Sequence, residues 1–283
     1  MEADAFPPLL KEIPDPPKEL FYRGKLPDWE ANKFLCIVGA RKYTNYGKEA
    51  SEKLIAGLSG YPIIIVSGLA LGVDSIAHRA ALAAGLETIA VLGSGLFDRV
   101  IYPASHLGLA RKIIEKGGTL ISEFPPDFRA TAWSFPQRNR IMAGLSNATL
   151  VVEAEKKSGT LITSRFATEY NRDVLTIPGS IFSPNSEGPS MLLRLGATPV
   201  TRSADILDAL GLQPTTNEEQ QTARNYDDCS PEELKILALL KEPIPRDEII
   251  RLADFHISET SAILSLLEIK GLIKESMGEI RLA

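Results

Sequence analysis

The chain has 283 residues, 44% hydrophobic and 24% charged, which suits a globular protein with one large core and a small second domain. No apolar run approaches the roughly 18 residues that span a bilayer, and the acidic N-terminus lacks signal-peptide features. We therefore expect a cytoplasmic protein without membrane contact. The net charge is −5, but residues 33–210 carry 19 Lys and Arg against 15 Asp and Glu, so an anion-binding surface is expected there.

Several common cofactor and metal patterns are missing from the sequence. Cys36 lies in an apolar run, Cys229 in a polar one, and the three histidines are scattered, so neither a disulfide nor a metal site is predicted. The first turn of the predicted sheet reads GARKYTNYG instead of the Gly-x-Gly-x-x-Gly of a dinucleotide site. No Gly-Lys pair is followed by Ser or Thr, as an ATPase would require. We predict no cofactor.

The first two segments differ sharply in pattern. Residues 1–32 are rich in proline and are predicted to wrap the next domain as irregular structure. Residues 33–211 alternate continuously apolar runs, typical of strands covered on both faces, with amphipathic stretches. The strands are predicted at 34–40, 63–68, 87–93, 118–123, 148–154, 173–179 and 197–200, and the helices at 47–58, 74–85, 104–117 and 158–170. This alternation predicts an α/β domain with an extended Rossmann-like, doubly wound parallel sheet.

The C-terminal part of the chain restarts as a separate small domain. Residues 212–229 have linker composition, and Ser230 and Pro231 then form a predicted N-cap and first helical position. Within 230–283, helices are predicted at 231–240, 246–253 and 258–271 and a hairpin at 272–282. Three helices and a hairpin predict a winged-helix domain.

The third helix of this domain carries the wrong charge for a DNA groove. It contains Glu259 and Glu268 against a single Lys270. A groove-reading helix normally exposes Lys, Arg, Asn or Gln. We therefore expect the winged-helix domain to be a protein-contact or regulatory module and not a reader of DNA.

Ligands of open parallel sheets bind at the carboxyl ends of the strands, so the residues that follow each strand are the functional candidates. Small residues there let backbone N–H groups approach an anion, and a helix N-terminus adds partial positive charge. Ser67–Gly68 and Ser158–Gly159 both precede predicted helices, and Gly39 and Arg41 follow the first strand. These glycines could equally serve only to make tight turns.

The stretch SFPQRNRIMAGLS, residues 134–146, places Arg138 and Arg140 at the predicted N-terminal end of a buried helix. Arginine is unfavourable at that end of the helix dipole and therefore needs a partner. Phosphate oxygens are one candidate, because two guanidiniums and an amide supply many donors. A buried ion pair with Glu153 or Glu123 is the other.

Taken together, these motifs resemble one family, the DNA processing protein A family, also called DprA or Smf. The resemblance covers about residues 6–210 and rests on CIVGAR, IVSGLALGVDSIAH, TIAVLGSGLFDRVIYP, FPQRNRIMAGLS, VVEAEKKSGTLIT and EGPSMLLRLGA in this order. The C-terminal segment resembles the winged-helix domain often found in the family. Many members carry a further N-terminal helical domain, so we expect a short or trimmed member.

The resemblance implies a homodimer that is not an enzyme, protects incoming single-stranded DNA and loads RecA recombinase onto it in natural transformation. It also implies a basic pocket for backbone phosphate, formed by Arg41, Ser67, Gly68, Arg138, Asn139, Arg140, Lys157, Ser158 and Gly159. Phe135, next to the arginines, is a candidate for base stacking. Phe97, Tyr102 and Trp133 are further aromatic candidates, but aromatic residues in such positions are more often core residues than stacking platforms.

Two alternatives remain open at this point. A Rossmann-like protein that binds or hydrolyses a nucleotide derivative would use a Gly-rich turn followed by glutamate, which SGTLITSRFATE matches in part. Glu153 and Asp74 would then act as acids, although Asp74 could simply cap its helix and Glu153 pair with an arginine. An interaction scaffold with a vestigial pocket is the other alternative, and the three arginines argue against it.

Overall fold

A computed structural model of the chain describes residues 6–213, 228–240, 242–276 and 278–282. The chain divides into two compact units, residues 1–213 and 214–283. Most of the predicted linker, at 214–227, lies outside the described residues. Within the described part of the chain, none of the helices combines the length and the apolar character needed to cross a membrane.

An eight-stranded sheet forms the centre of the first unit. Its strands are β1 (Phe21–Gly24), β2 (Lys33–Val38), β3 (Ile63–Ser67), β4 (Thr88–Val91), β5 (Thr119–Ser122), β6 (Ala148–Val151), β7 (Asp173–Thr176) and β8 (Thr198–Pro199). They lie in the order β1-β5-β4-β3-β2-β6-β7-β8, and only β1 runs antiparallel to its neighbour. The α/β fold with a mostly parallel sheet is thereby confirmed, since each predicted strand overlaps one of β2–β8.

Helices cover the sheet on both faces. They are α1 (Pro8–Lys11), α2 (Asn45–Ala56), α3 (Val73–Ala83), α4 (Leu107–Glu115), α5 (Ser134–Leu145), α6 (Thr160–Glu169), α7 (Glu187–Arg194) and α8 (Ser203–Ala209). Alternate residues of β2 enter different cores: Leu35 and Ile37 pack with α2, α3 and α8, whereas Phe34 and Cys36 pack with α1, α5 and α7. Burial on both faces explains the continuously apolar strands.

The N-terminal segment is more regular than predicted. It contains helix α1 and strand β1, which extends the sheet by pairing with β5. The expectation of purely irregular structure was therefore wrong, because Phe21–Gly24 carries no proline and can form ladder hydrogen bonds. Leu10, Ile13 and Leu20 are fully or almost fully buried in the same core as α5. The segment is thus part of the fold of the first unit.

Helix α5 begins earlier than predicted. It starts at Ser134, and Pro136 occupies its first turn, where a missing N–H costs no hydrogen bond. Arg138 and Arg140 consequently lie in the second turn, so the expectation that they stand at the helix N-terminus was wrong. Both arginines are buried.

The second unit is a winged helix, as predicted. Its elements are α9 (Pro231–Leu239), β9 (Ile244–Pro245), α10 (Arg246–Leu252), α11 (Ile257–Ile269), β10 (Ile273–Ser276) and β11 (Glu279–Leu282). Ser230 caps α9 in a reciprocal capping box with Glu233. Lys270, which follows α11, donates to the Glu233 carboxylate at 2.7 Å. Helix α11 itself contains no Lys or Arg, and its exposed residues include Leu266 and Ile269.

We predict that Leu10→Ala lowers the free energy of unfolding by about 2–4 kcal/mol, because it empties a fully buried site beneath α5. Chemical denaturation measures the change. The matched variant Lys18→Ala removes an exposed side chain from the same segment and should change stability by less than about 0.5 kcal/mol. Equal, small effects of both substitutions would contradict the packing described for this segment.

Candidate functional site

A pocket of about 690 Å³ opens at the carboxyl edge of the sheet, between the end of β2, helix α5 and the N-terminus of α6. Its charged lining residues are Arg41, Lys42, Asp74, Arg138, Glu155 and Lys157. Four cations thus face two carboxylates, and the pocket is suited to an anionic ligand.

Helices α2, α3, α5 and α6 begin at this edge of the sheet, and the N-terminus of α2 already holds an internal carboxylate. Glu153 accepts hydrogen bonds from the backbone N–H of Thr44 at 2.9 Å and from the Thr44 hydroxyl, at the start of α2. Gly47 leaves room for this carboxylate, since a Cβ would lie 2.5 Å from the carboxyl carbon of Glu153 and would displace it. Glu153 therefore caps α2 and pairs with no arginine among the described residues.

A second internal carboxylate lies at the start of α3, but it accepts its hydrogen bond from the preceding loop. Asp74 lies in the first turn of α3 and accepts from the backbone N–H of Ala70 at 3.4 Å. Its carboxylate is buried near the guanidinium of Arg138. Burial raises the pKa of Asp74, and the charge of Arg138 is the largest opposing influence.

Arg138 ties helix α5 to the ends of two strands. Its Nη1 donates to the carbonyl of Gly68 at 2.6 Å, beyond β3, and to the carbonyl of Val91, the last residue of β4. A Cβ on Gly68 would lie 2.2 Å from Nη1, so only glycine admits the guanidinium. Burial lowers the pKa of Arg138, and Asp74 partly offsets this. Arg138 lines the pocket, but two of its donor directions are committed to backbone.

The start of α6 presents an exposed N-cap residue to the pocket, but the backbone N–H groups of Thr160 and Leu161 already donate to the hydroxyl of Ser158 at 3.2 Å and to its carbonyl at 3.1 Å. Gly159 is the N-cap residue of α6, is exposed, and has no heavy atom within 4 Å of the position a Cβ would take. The hydroxyl of Thr160 donates to the carbonyl of Gly39 at 3.1 Å, which anchors this helix start beside β2. Thr163, one turn further, has a buried hydroxyl with no hydrogen-bond partner among the described residues and also lines the pocket. The backbone N–H of Gly159 has no acceptor among the described residues and is the donor that this helix start offers to an anion.

Exposed cations flank this helix start. Arg41, Lys42 and Lys157 line the pocket and are exposed, and none forms an ion pair within the described part of the chain. The guanidinium of Arg41 lies 5.7 Å from the ring centroid of Phe135, which is half-buried in the pocket wall. Asn139, on the facing helix, donates to the Gly159 carbonyl at 3.5 Å.

Arg140 does not line the pocket. Its guanidinium forms a 2.6 Å ion pair with Glu123 and lies 3.4 Å from the exposed carboxylate of Asp15. Burial raises the pKa of Glu123, whereas the charge of Arg140 opposes that shift. The sequence offered Glu153 and Glu123 as possible ion-pair partners for the two arginines. The ion pair that is observed joins Glu123 to Arg140.

The predicted site residues thus separate into three groups. Ser67 and Gly68 lie outside the lining and serve the fold; the Ser67 hydroxyl donates to the carbonyl of Ile37 at 2.6 Å. Arg140 lies in its ion pair. The remaining candidates share the pocket: Gly39, Arg41, Phe135, Arg138, Asn139, Lys157, Ser158 and Gly159.

Lys42, Thr163 and Asn185 are among the lining residues that sequence reasoning missed. Lys42 was adjacent to a candidate and could have been found from its position. Asn185 lies on the loop after β7 and donates to the carbonyl of Lys42 at 2.9 Å, a contact that no local pattern indicates. The described residues contain no group of three or more His, Cys, Asp or Glu side chains that could hold a metal ion.

The fold and the site define a class: α/β proteins with a basic pocket at the carboxyl edge of a Rossmann-like sheet, followed here by a winged helix. The chain belongs to the DNA recombination-mediator protein A family, whose model matches residues 1–211. A second model, the DprA winged helix domain, matches residues 220–279.

Several named proteins are similar to this chain. The Smf protein of Escherichia coli K12 is 43% identical over 209 residues, which make up 74% of this chain and 55% of that protein. The chain therefore spans about half the length of that relative. DprA of Streptococcus pneumoniae R6 is 43% identical over 204 residues, 72% of this chain and 71% of that protein.

Solved structures of two relatives share the fold. The X-ray structure of DprA from Streptococcus pneumoniae aligns with a TM-score of 0.69 and 38% identity over 75% of this chain and 74% of that one. DNA processing protein A from Helicobacter pylori, whose structure is described as giving insight into a unique single-stranded DNA binding mode, aligns with a TM-score of 0.66 and 30% identity. That alignment covers 72% of this chain and 92% of the other.

We predict that Arg140→Met lowers the free energy of unfolding by about 2–3 kcal/mol at neutral pH, because Glu123 is left buried without its cation. The loss should shrink as the pH falls toward the pKa of an ordinary glutamate. Without Arg140, the pKa of Glu123 in the folded protein is raised further above its value in the unfolded chain. This difference costs stability only at pH values at which the carboxyl of the unfolded chain is ionised. Denaturation curves between pH 4 and pH 7 measure this.

The double variant Arg140→Met/Glu123→Leu is the control, since removing both charges should restore most of the lost stability. A double variant as unstable as Arg140→Met alone would contradict the assigned ion pair.

Proposed function

We propose that the chain binds single-stranded DNA and that the pocket holds its sugar-phosphate backbone. The observation that carries this proposal is that exposed cations meet an exposed helix start at one pocket. Arg41 and Lys157 form no ion pair among the described residues, and they flank Gly159, the N-cap residue of α6, whose backbone N–H has no acceptor among those residues. This combination of a backbone donor and unpaired cations suits phosphate. The single-stranded DNA binding described for the Helicobacter pylori relative supports the same ligand.

Different pocket residues take different roles in this proposal. Arg41 and Lys157 contact phosphate oxygens directly, together with the backbone N–H of Gly159, which has no acceptor among the described residues. Arg138 is a positioning residue, because it holds α5 against the strand ends and contributes positive charge from beneath. Contacts of this kind track a backbone without reading bases, so binding is expected to be largely independent of sequence.

The pocket supports binding over catalysis. The two acids that a hydrolytic alternative would need are engaged within the fold: Glu153 by Thr44 and Asn185, and Asp74 beside Arg138. A general base must reach its proton in a plausible substrate pose. We infer that the chain is not an enzyme.

Family membership supports the wider biological role that we propose. The chain acts in the cytoplasm on DNA taken up in natural transformation, protects it, and loads RecA onto it as a homodimer. The winged-helix unit contacts protein, because the exposed residues of α11 include Leu266, Ile269 and Glu259 and no unpaired cation.

We predict that Lys157→Ala weakens binding of labelled oligo-dT by roughly three- to tenfold at low salt and flattens the plot of log affinity against log salt by about one phosphate contact. Arg41→Ala should behave in the same way. Fluorescence anisotropy over a salt series measures both quantities.

Lys156→Ala is the matched control, because Lys156 is exposed, adjacent in sequence and outside the pocket lining. It should leave the salt slope within about 0.3 of wild type. The proposal fails if Lys156→Ala and Lys157→Ala have the same effect, or if Arg41→Ala and Lys157→Ala both bind as wild type does.

RecA loading has its own expected outcome. Wild-type protein should speed RecA filament formation on DNA already coated with single-strand-binding protein, whereas Arg41→Ala/Lys157→Ala should lose most of this effect because it cannot hold the strand. Lys156→Ala again serves as control. If the double variant speeds RecA filament formation as much as wild type does, RecA loading does not depend on DNA binding in the pocket.

A further inference from the structure

Three large aromatic side chains beside the pocket are exposed. We call Phe97, Tyr102 and Trp133 the aromatic rim; their exposed fractions are 47%, 51% and 56%. Phe97 and Tyr102 lie on the loop after β4, and Trp133 ends the loop after β5. Both loops leave the carboxyl edge of the sheet, the same edge that carries the pocket.

The two loops form one surface. The backbone N–H groups of Gly95 and Phe97 donate to the carbonyls of Phe128 at 2.8 Å and Pro126 at 2.9 Å. Trp133 packs edge-on against Phe128, with ring centroids 5.8 Å apart. Backbone hydrogen bonds between the loops and ring packing within the second loop hold the rim residues in place, so their exposed faces are preorganised.

The aromatic rim is continuous with the pocket. The ring of Tyr102 contacts that of Phe135, with centroids 5.4 Å apart. The guanidinium of Arg41 lies over the ring of Phe135. Phe135 is therefore held between the pocket cation and Tyr102, and it is only half exposed. The more exposed ring of this series is Tyr102, which lies outside the pocket lining.

The surroundings of the aromatic rim favour an anionic chain. The Arg99 guanidinium lies 5.1 Å from the ring centroid of Phe97, and Arg99 is exposed. The neighbouring carboxylate of Asp98 is neutralised by Arg23 and Arg111. A phosphate backbone passing Phe97 would therefore meet Arg99 as a cation with no ion pair among the described residues.

We propose that the aromatic rim binds the bases of nucleotides adjacent to those whose phosphates occupy the pocket, with Tyr102 as the first stacking platform. This inference rests on the proposed function, because the strand must already be held at Arg41 and Lys157. Every base has a π face, so stacking on exposed rings is tolerant of sequence. Bases in a duplex are already stacked and paired, so the rim also favours single strands over duplex.

The test uses the full-length chain and labelled oligo-dT from 3 to 15 nucleotides at one fixed salt concentration. Tyr102→Leu keeps an apolar contact for Phe135 but removes the π face. It should weaken binding of the long oligomers by roughly tenfold and that of the shortest oligomer by less than about twofold. Tyr102→Trp should retain wild-type affinity at every length. This rescue also separates loss of stacking from loss of folding.

Tyr46→Leu is the matched control. Tyr46 has a similar exposed fraction, 52%, but lies on α2, where its hydroxyl donates to the carbonyl of Pro178 on the β7 side of the pocket. It should bind all oligomers as wild type does. If Tyr46→Leu loses affinity for the long oligomers and Tyr102→Leu does not, the DNA strand leaves the pocket on the β7 side. That result would overturn the proposal.

Two other results would also overturn it. One is wild-type binding by Tyr102→Leu at every length; the other is an equal loss at every length, which would mean that Tyr102 acts only through the pocket. The Lys157→Ala variant, measured in parallel, keeps the two hypotheses distinguishable. If Lys157→Ala weakens the binding of oligomers of every length while Tyr102→Leu has no effect, the pocket binds DNA and the aromatic rim does not. If Lys157→Ala weakens the binding of none of them, the proposed function itself is contradicted.

Discussion

The buried guanidinium of Arg138 is the contact on which the geometry of the pocket depends. It bonds to the carbonyls of Gly68 and Val91 and so fixes α5 across the ends of β3 and β4. Phe135 and Asn139 lie on the same helix and reach the pocket only because α5 is held there. A buried arginine is costly to desolvate, and here backbone acceptors and the nearby Asp74 carboxylate compensate for that cost.

A second constraint concerns where negative charge is allowed. The sheet edge gathers the N-termini of α2, α3, α5 and α6, each of which favours an anion. The fold places its own carboxylates at two of them, Glu153 at α2 and Asp74 at α3, whereas the start of α6 lies beside Arg41 and Lys157. The internal acids thus disfavour an external phosphate at the starts of α2 and α3. The proposed path then leads from the start of α6 over Phe135 to Tyr102.

Periodicity in the sequence was sufficient to predict the sheet, whose strands are buried on both faces, and the helices of the winged helix. It was insufficient to predict β1, a four-residue edge strand in a proline-rich segment. At the site, residue type identified the cations but not their partners: Arg138 and Arg140 are two residues apart, yet one lines the pocket and the other pairs with Glu123. Which carboxylate meets which guanidinium depends on tertiary packing, so local sequence could not separate them.

The most direct test of the account is a crystal structure of the chain with a short oligo-dT. We predict a backbone phosphate at the N-terminus of α6, within hydrogen-bond distance of the backbone at Gly159 and of Arg41 or Lys157. We also predict that Arg138 keeps its bonds to Gly68 and Val91. A strand bound elsewhere on the first unit, with the start of α6 free of phosphate, would contradict it.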